Sequence, residues 1–192
     1  MTESRYGLHI LLPEILDRRF AHWANETPGA SWPEWGGHIT LLASFISRVP
    51  EHELIAAIGA VIDDHHVIDV HLTQLAVVQD LTREGYRAVF LTTPAQTRSG
   101  LLRLKALQGE LNEATLALRT DRFPDMARRE YLPHLTLALG LSEHEAHQMV
   151  SAARSGGLVA EFYVDRVWLF CLDDGLPVRR IPFQLSSPLP LA

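Results

Sequence analysis

Residues 37–41 read Gly-His-Ile-Thr-Leu, and residues 133–137 read Pro-His-Leu-Thr-Leu. Successive side chains of an extended strand point to opposite faces, so His38 and Thr40 project together, as do His134 and Thr136. Ile39, Leu41, Leu135 and Leu137 then turn toward a core. Each stretch has a turn residue before it and a helical pattern after it, at Pro50–Asp64 and beyond Ser142. A turn–strand–helix unit that occurs twice predicts two lobes related by a pseudo-twofold axis, and two copies are too few for a solenoid. A third His-x-Thr, His71-Leu72-Thr73, sits inside its strand with no opening turn, and His71 reads as a partly exposed structural histidine.

The remaining elements fit around these two units. Tyr6–Leu12 reads as a strand, and Pro13 opens a helix with Ile15, Leu16, Phe20 and Trp23 at helical spacing. Asn25–Gly37 is loop, and His38–Phe45 is a strand. Leu54, Ile55, Ile58, Val61 and Ile62 stripe the helix that follows. Val67–Gln79 alternates as one half-buried strand, and Tyr86–Thr92 is its partner after a turn at 82–85. Thr97–Leu118 is a long amphipathic helix, Arg119–Glu130 a polar loop, and Leu132–Leu139 a strand. Ser142 and Glu145 form a capping box. Phe162–Leu172 and Val178–Leu185 form a hairpin around Asp173-Asp174-Gly175. Strands and helices mix without strict alternation, which predicts an α+β fold of antiparallel sheets flanked by helices. The active-site cleft is expected between the two lobes of a single bilobal domain over residues 1–192.

The chain has 192 residues, 47% hydrophobic and 21% charged, enough to bury a core without staples. Cys171 is the single cysteine, so no intrachain disulfide forms and a reducing compartment fits. The N-terminus lacks a secretory pattern and no apolar run is long enough to span a bilayer, so a cytoplasmic location without membrane association is expected. The formal net charge is −6. Proteins that grip long DNA or RNA carry basic surfaces, so a small anionic substrate is favoured and DNA is not an expected partner.

Two imidazoles converging on one cleft suit the opening of a cyclic phosphodiester. One takes a proton from water, the other protonates the leaving ribose oxygen, and histidine's ordinary pKa of roughly 6.5 serves both tasks. His38 and His134 are the expected acid–base pair, one neutral and one charged. Thr40 and Thr136 are the expected donors to the phosphoryl oxygens. No metal or cofactor is expected, because no ligand cluster stands out. His144 and His147 are three apart, where the zinc-protease pattern needs four. Trp32 and Trp35 lie in the loop before His38, where they either stack on a base or plug the core. Arg119, Arg122, Arg128 and Arg129 precede His134, either as solvated charges or as a clamp for a second phosphate. His65 and His66 end a helix, where positive charge is favourable.

The paired HITL and HLTL strands resemble those of the 2H phosphoesterase superfamily, which is defined by two His-x-Thr/Ser motifs. The small cyclic phosphodiesterases are the most similar branch, and the superfamily includes 2′–5′ RNA ligase-like proteins. The likeness extends over YGLHILLP, YRAVFLTTP, Tyr131–Thr136 and Val164–Leu169. It implies catalytic roles for His38 and His134, phosphate binding by Thr40 and Thr136, and Tyr131 on the cleft wall. His9 stands where some relatives carry an aromatic residue, and Gly37 where many carry proline. The implied reaction is metal-independent hydrolysis of a cyclic nucleotide phosphate, of the 2′,3′-cyclic or ADP-ribose 1″,2″-cyclic type. The alternatives are processing of RNA ends, by RNA 2′,3′-cyclic phosphodiesterase or 2′–5′ RNA ligase activity, and a silent nucleotide-binding module on the same fold.

Overall fold

The computed structural model describes residues 5–81, 83–94, 99–124 and 130–187. Ten strands and four helices occur among them: β1 Arg5–Leu11, α1 Glu14–Glu26, β2 His38–Ser47, α2 Glu51–Asp63, β3 Ile68–Leu72, β4 Gln74–Gln79, β5 Arg87–Thr92, α3 Ser99–Thr115, β6 Arg119–Asp121, β7 His134–Leu141, α4 Glu143–Ser155, β8 Ala160–Val164, β9 Arg166–Asp173 and β10 Leu176–Gln184. They form sheets of order β10-β9-β1-β2-β6, β4-β5-β7 and β3-β8. Every pairing between these strands is antiparallel. One hydrophobic cluster runs through both large sheets, from Leu8 and Phe45 to Leu91 and Leu137.

The pseudo-twofold relation can be read in the register. β1 meets β2 with Leu11 opposite His38, His9 opposite Thr40, Leu8 opposite Leu42 and Tyr6 opposite Phe45. β5 meets β7 with Thr92 opposite His134, Phe90 opposite Thr136, Val89 opposite Ala138 and Arg87 opposite Leu141. Both ladders skip Leu41 or its counterpart Leu137, so each carries an irregularity at the same place. Such bulges re-aim side chains beside functional sites. β3 and β8 pair across the axis, centred on Val70 and Phe162. Each half then passes its next strand to the other half: β4 joins β5, and β9 joins β1.

That exchange corrects two sequence expectations. Val67–Gln79 is two strands joined at Thr73, and the strand expected over Phe162–Leu172 is broken at Asp165. Apolar–polar alternation continues through both joints, so periodicity alone cannot register a change of partner. The helix expected over Thr97–Leu118 is α-helical over Ser99–Thr115, followed by a 3₁₀ turn at Leu116–Leu118. The segment expected to be polar loop from Arg119 opens as β6, which pairs with the end of β2. Ser142 and Glu145 form the predicted capping box on α4.

Candidate active site

His38 begins β2 and His134 begins β7, and the two strands pack against each other. Ile39, Leu41, Leu135 and Leu137 are buried beneath them. Each histidine is fixed in the same way. His38 Nδ1 lies 3.3 Å from the Gly36 carbonyl oxygen, and His134 Nδ1 lies 2.8 Å from that of Leu132. A carbonyl only accepts, so in each ring Nδ1 carries the proton and Nε2 is left with its lone pair. An aromatic ring lies flat on each imidazole: Trp35 on His38 at 4.0 Å and 27°, and Phe90 on His134 at 4.0 Å and 19°.

The chain approaching each histidine is also pinned. Gly36 takes φ +102°, which favours glycine, and a Cβ on Gly37 would lie 2.1 Å from the Trp32 ring. Asp17 Oδ1 accepts from Gly37 N at 2.6 Å and from Trp32 Nε1 at 2.9 Å. On the other side Thr92 Oγ1 donates to the Pro133 carbonyl at 2.7 Å. Sequence reading missed Asp17, Thr92 and Phe90. The register opposite each motif would have pointed to Thr92 and Phe90, whereas Asp17 acts across a loop and leaves no local signal.

Electrostatics set the resting state of this pair. Burial, opposed in part by the Gly36 hydrogen bond and reinforced by the charge of His134, lowers His38 to about 4. Burial also lowers His134, partly offset by its bond to the Leu132 carbonyl. Both rings are therefore neutral at pH 7. Repulsion from His134 adds to the cost of protonating His38.

A cavity of about 450 Å³ opens beside this pair, in the size range of small-molecule sites. Thr40, His134 and Thr136 line it, whereas His38, His9 and Trp35 do not. Leu81, Phe123, Leu132 and Leu139 also line it and are exposed despite their size. Tyr131 is on its wall, with a buried hydroxyl that has no partner among the described residues. Arg119 belongs to the same lining, but it is neither a solvated charge nor a free clamp. It is 2% exposed, its Nε donates to Asp121 Oδ1 at 2.6 Å, and it also bonds to Asn112 and Thr115.

Other expected contacts fall elsewhere. Trp32 stacks on Phe20 in the core, so it plugs rather than binds. His9 is buried, with its ring edge-on to His38 at 4.9 Å and 90°, and so lies behind the site rather than on its wall. Arg122 sits over the Phe123 ring at 5.7 Å. Arg128 and Arg129 lie outside the described residues. His71 bonds Asp69 at 2.7 Å and Glu161 at 3.0 Å, and these carboxylates raise its pKa. His65 pairs with Glu110, and His147 with Glu143. No group of three or more His, Cys, Asp or Glu side chains among the described residues is placed to hold a metal ion. No described helix is long and apolar enough to cross a membrane.

The chain matches the 2′-5′ RNA ligase superfamily over residues 12–176. No curated protein sequence matches it. Among solved structures it resembles apo LigT of E. coli, with 18% identity, TM-score 0.55, and coverage of 95% of this chain and 99% of that one. It also resembles Usb1 of Kluyveromyces marxianus, with 10% identity, TM-score 0.57, and coverage of 95% and 99%. At such identities the likeness is one of fold. LigT has been crystallised with 3′-AMP, and Usb1 with uridine monophosphate.

Proposed function

Because the chain belongs to the 2′-5′ RNA ligase superfamily, we propose that it is a cytoplasmic 2H-type phosphodiesterase that hydrolyses a small cyclic nucleotide phosphate to a monoester without a metal. The observation that carries this reading is the matched pair of imidazoles, each held through Nδ1 by a backbone carbonyl and each opening a strand with a threonine two residues on. His38 and His134 are the acid–base pair. Thr40 and Thr136 donate to the non-bridging oxygens as charge builds there.

The surroundings divide the roles. His38, held near a pKa of about 4, is neutral and serves as the base that takes a proton from water. His134 lines the cavity that His38 does not. A nucleoside seated there brings its leaving ribose oxygen to His134, which protonates it. The bound phosphate, by its negative charge, raises His134 into its acid form. The apolar rim suits a nucleobase, and Arg119, already paired with Asp121, is not free to hold a second phosphate. Crystallisation of LigT with 3′-AMP and of Usb1 with uridine monophosphate supports a nucleotide as the class of ligand.

The test is hydrolysis of a 2′,3′-cyclic mononucleotide in excess EDTA. Full activity is expected, and activity lost to EDTA and restored by zinc or magnesium would contradict it. The same assay on an RNA oligomer with the same cyclic end separates a small substrate from an RNA end. One or two phosphate contacts produce a shallow salt dependence. A strong preference for the oligomer with a steep salt slope would assign the site to RNA ends.

A further inference from the structure

The two halves place different residues opposite their site threonines. Phe90 lies opposite Thr136, and His9 lies opposite Thr40. A phenyl ring offers a hydroxyl no conventional hydrogen bond. An imidazole does, and His9 Nδ1 is 3.3 Å from Thr40 Oγ1. We propose that His9 is a positioning residue that directs the Thr40 hydroxyl proton toward the phosphoryl oxygen. The proposal rests on the reading of Thr40 as a phosphate ligand.

The direction of one proton decides what Thr40 can offer the substrate. Burial holds the His9 imidazole neutral, so it has a single N–H. If Nε2 carries that proton, Nδ1 accepts from Thr40, and the threonine turns lone pairs toward the substrate. If Nδ1 carries it, Nδ1–H donates to Thr40 Oγ1, and the hydroxyl proton is free to reach the anion. Only the second arrangement is compatible with a bound phosphate, so substrate selects it. The relay from His9 N–H through Thr40 O–H to phosphoryl oxygen then polarises cooperatively.

The ring is held for this task on several sides. Trp35 meets it edge-on at 5.4 Å and His38 at 4.9 Å, and Phe170 lies tilted against it at 5.1 Å. A Cβ on Gly7 would come within 2.6 Å of His9 Nε2, so glycine leaves room for the imidazole. Thr136, facing Phe90, has no such director among the described residues.

A double-mutant cycle tests this. His9→Phe keeps a ring, as at Phe90 in the matching register, and should lower kcat/KM about 10-fold, the effect of one hydrogen bond. His9→Asn, which returns an N–H near the Nδ1 position, should recover most of that loss. Thr40→Val should cost at least as much, and His9→Phe added to it should cost almost nothing more. His9→Phe added to Thr136→Val should multiply the two losses. Multiplication on Thr40→Val as well would overturn the proposal while leaving Thr40 as a ligand. A harmless Thr40→Val would refute the ligand reading itself. If His9→Phe fails to fold, ¹⁵N NMR of the wild-type imidazole with inorganic phosphate decides the matter. The Nδ1–H tautomer is expected, and the Nε2–H tautomer would overturn the proposal.

Discussion

The half that carries His38 and the half that carries His134 share strand register, bulge position and the carbonyl bond at Nδ1, yet their imidazoles sit among different neighbours. His38 is packed against Trp35 and His9 and does not itself line the cavity. His134 has Phe90 on one face and lines the cavity. Duplication accounts for two similar groups at matched positions. In the proposed reaction the neighbours, through burial and charge, assign the two similar groups opposite parts, one taking a proton and the other giving one.

The largest effect expected from breaking this comparison is loss of either imidazole. His38→Ala and His134→Ala should each lower turnover by roughly 10²–10⁴, as removal of a general acid or base does. The double variant should lose little more, because the two act as a unit. Near-native turnover in either single variant would remove that residue from the mechanism.

The pH profile sharpens the comparison. The base must be neutral, so kcat/KM should fall as pH drops through the His38 value of about 4. The acid must hold a proton, and His134 in the free enzyme is lowered by burial. The kcat/KM bell should therefore peak on the acid side of neutrality. Trp35→Ala lets water reach His38, raises its pKa toward roughly 6.5 and moves the acid limb upward. An optimum above pH 8, or an acid limb unmoved by Trp35→Ala, would contradict the assignment.

The smallest effect concerns stability. His9 is depressed by burial first and by His38 second, so its stabilising share is complete above the unfolded pKa of roughly 6.5. It is lost as pH falls below that value, at up to about 1.4 kcal/mol per pH unit for one such group. Denaturant titrations at several pH values should show His9→Phe to be less acid-labile than wild type. Parallel pH dependences would mean that the buried His9 ring takes up its proton without penalty.

Much of this architecture is legible in the sequence because it is local. Alternation puts His38 beside Thr40 and His134 beside Thr136, and Ser142 with Glu145 announces α4. The joints at Thr73 and Asp165 are not legible, since the residue pattern runs on while the partner strand changes. Arg119 shows the same limit. In a run with three other arginines it reads as solvated, but Asn112, Thr115 and Asp121 enclose it only once α3 and β6 are folded. His9 reads as a substitution in a strand, and its bond to Thr40 emerges only from the register of β1 on β2. The neutral state of both site histidines is a property of burial, which no spacing encodes.

The most direct test of the division between base and acid uses the leaving group. A phosphodiester of p-nitrophenol departs without needing a proton, whereas a cyclic nucleotide needs one on its ribose oxygen. Steady-state rates of His38→Ala and His134→Ala on both substrates separate the roles. His134→Ala should be severely impaired on the cyclic nucleotide and close to wild type on the p-nitrophenyl ester, while His38→Ala should be impaired on both. The reverse pattern would exchange the two roles, and equal impairment of both variants on the activated ester would contradict the division.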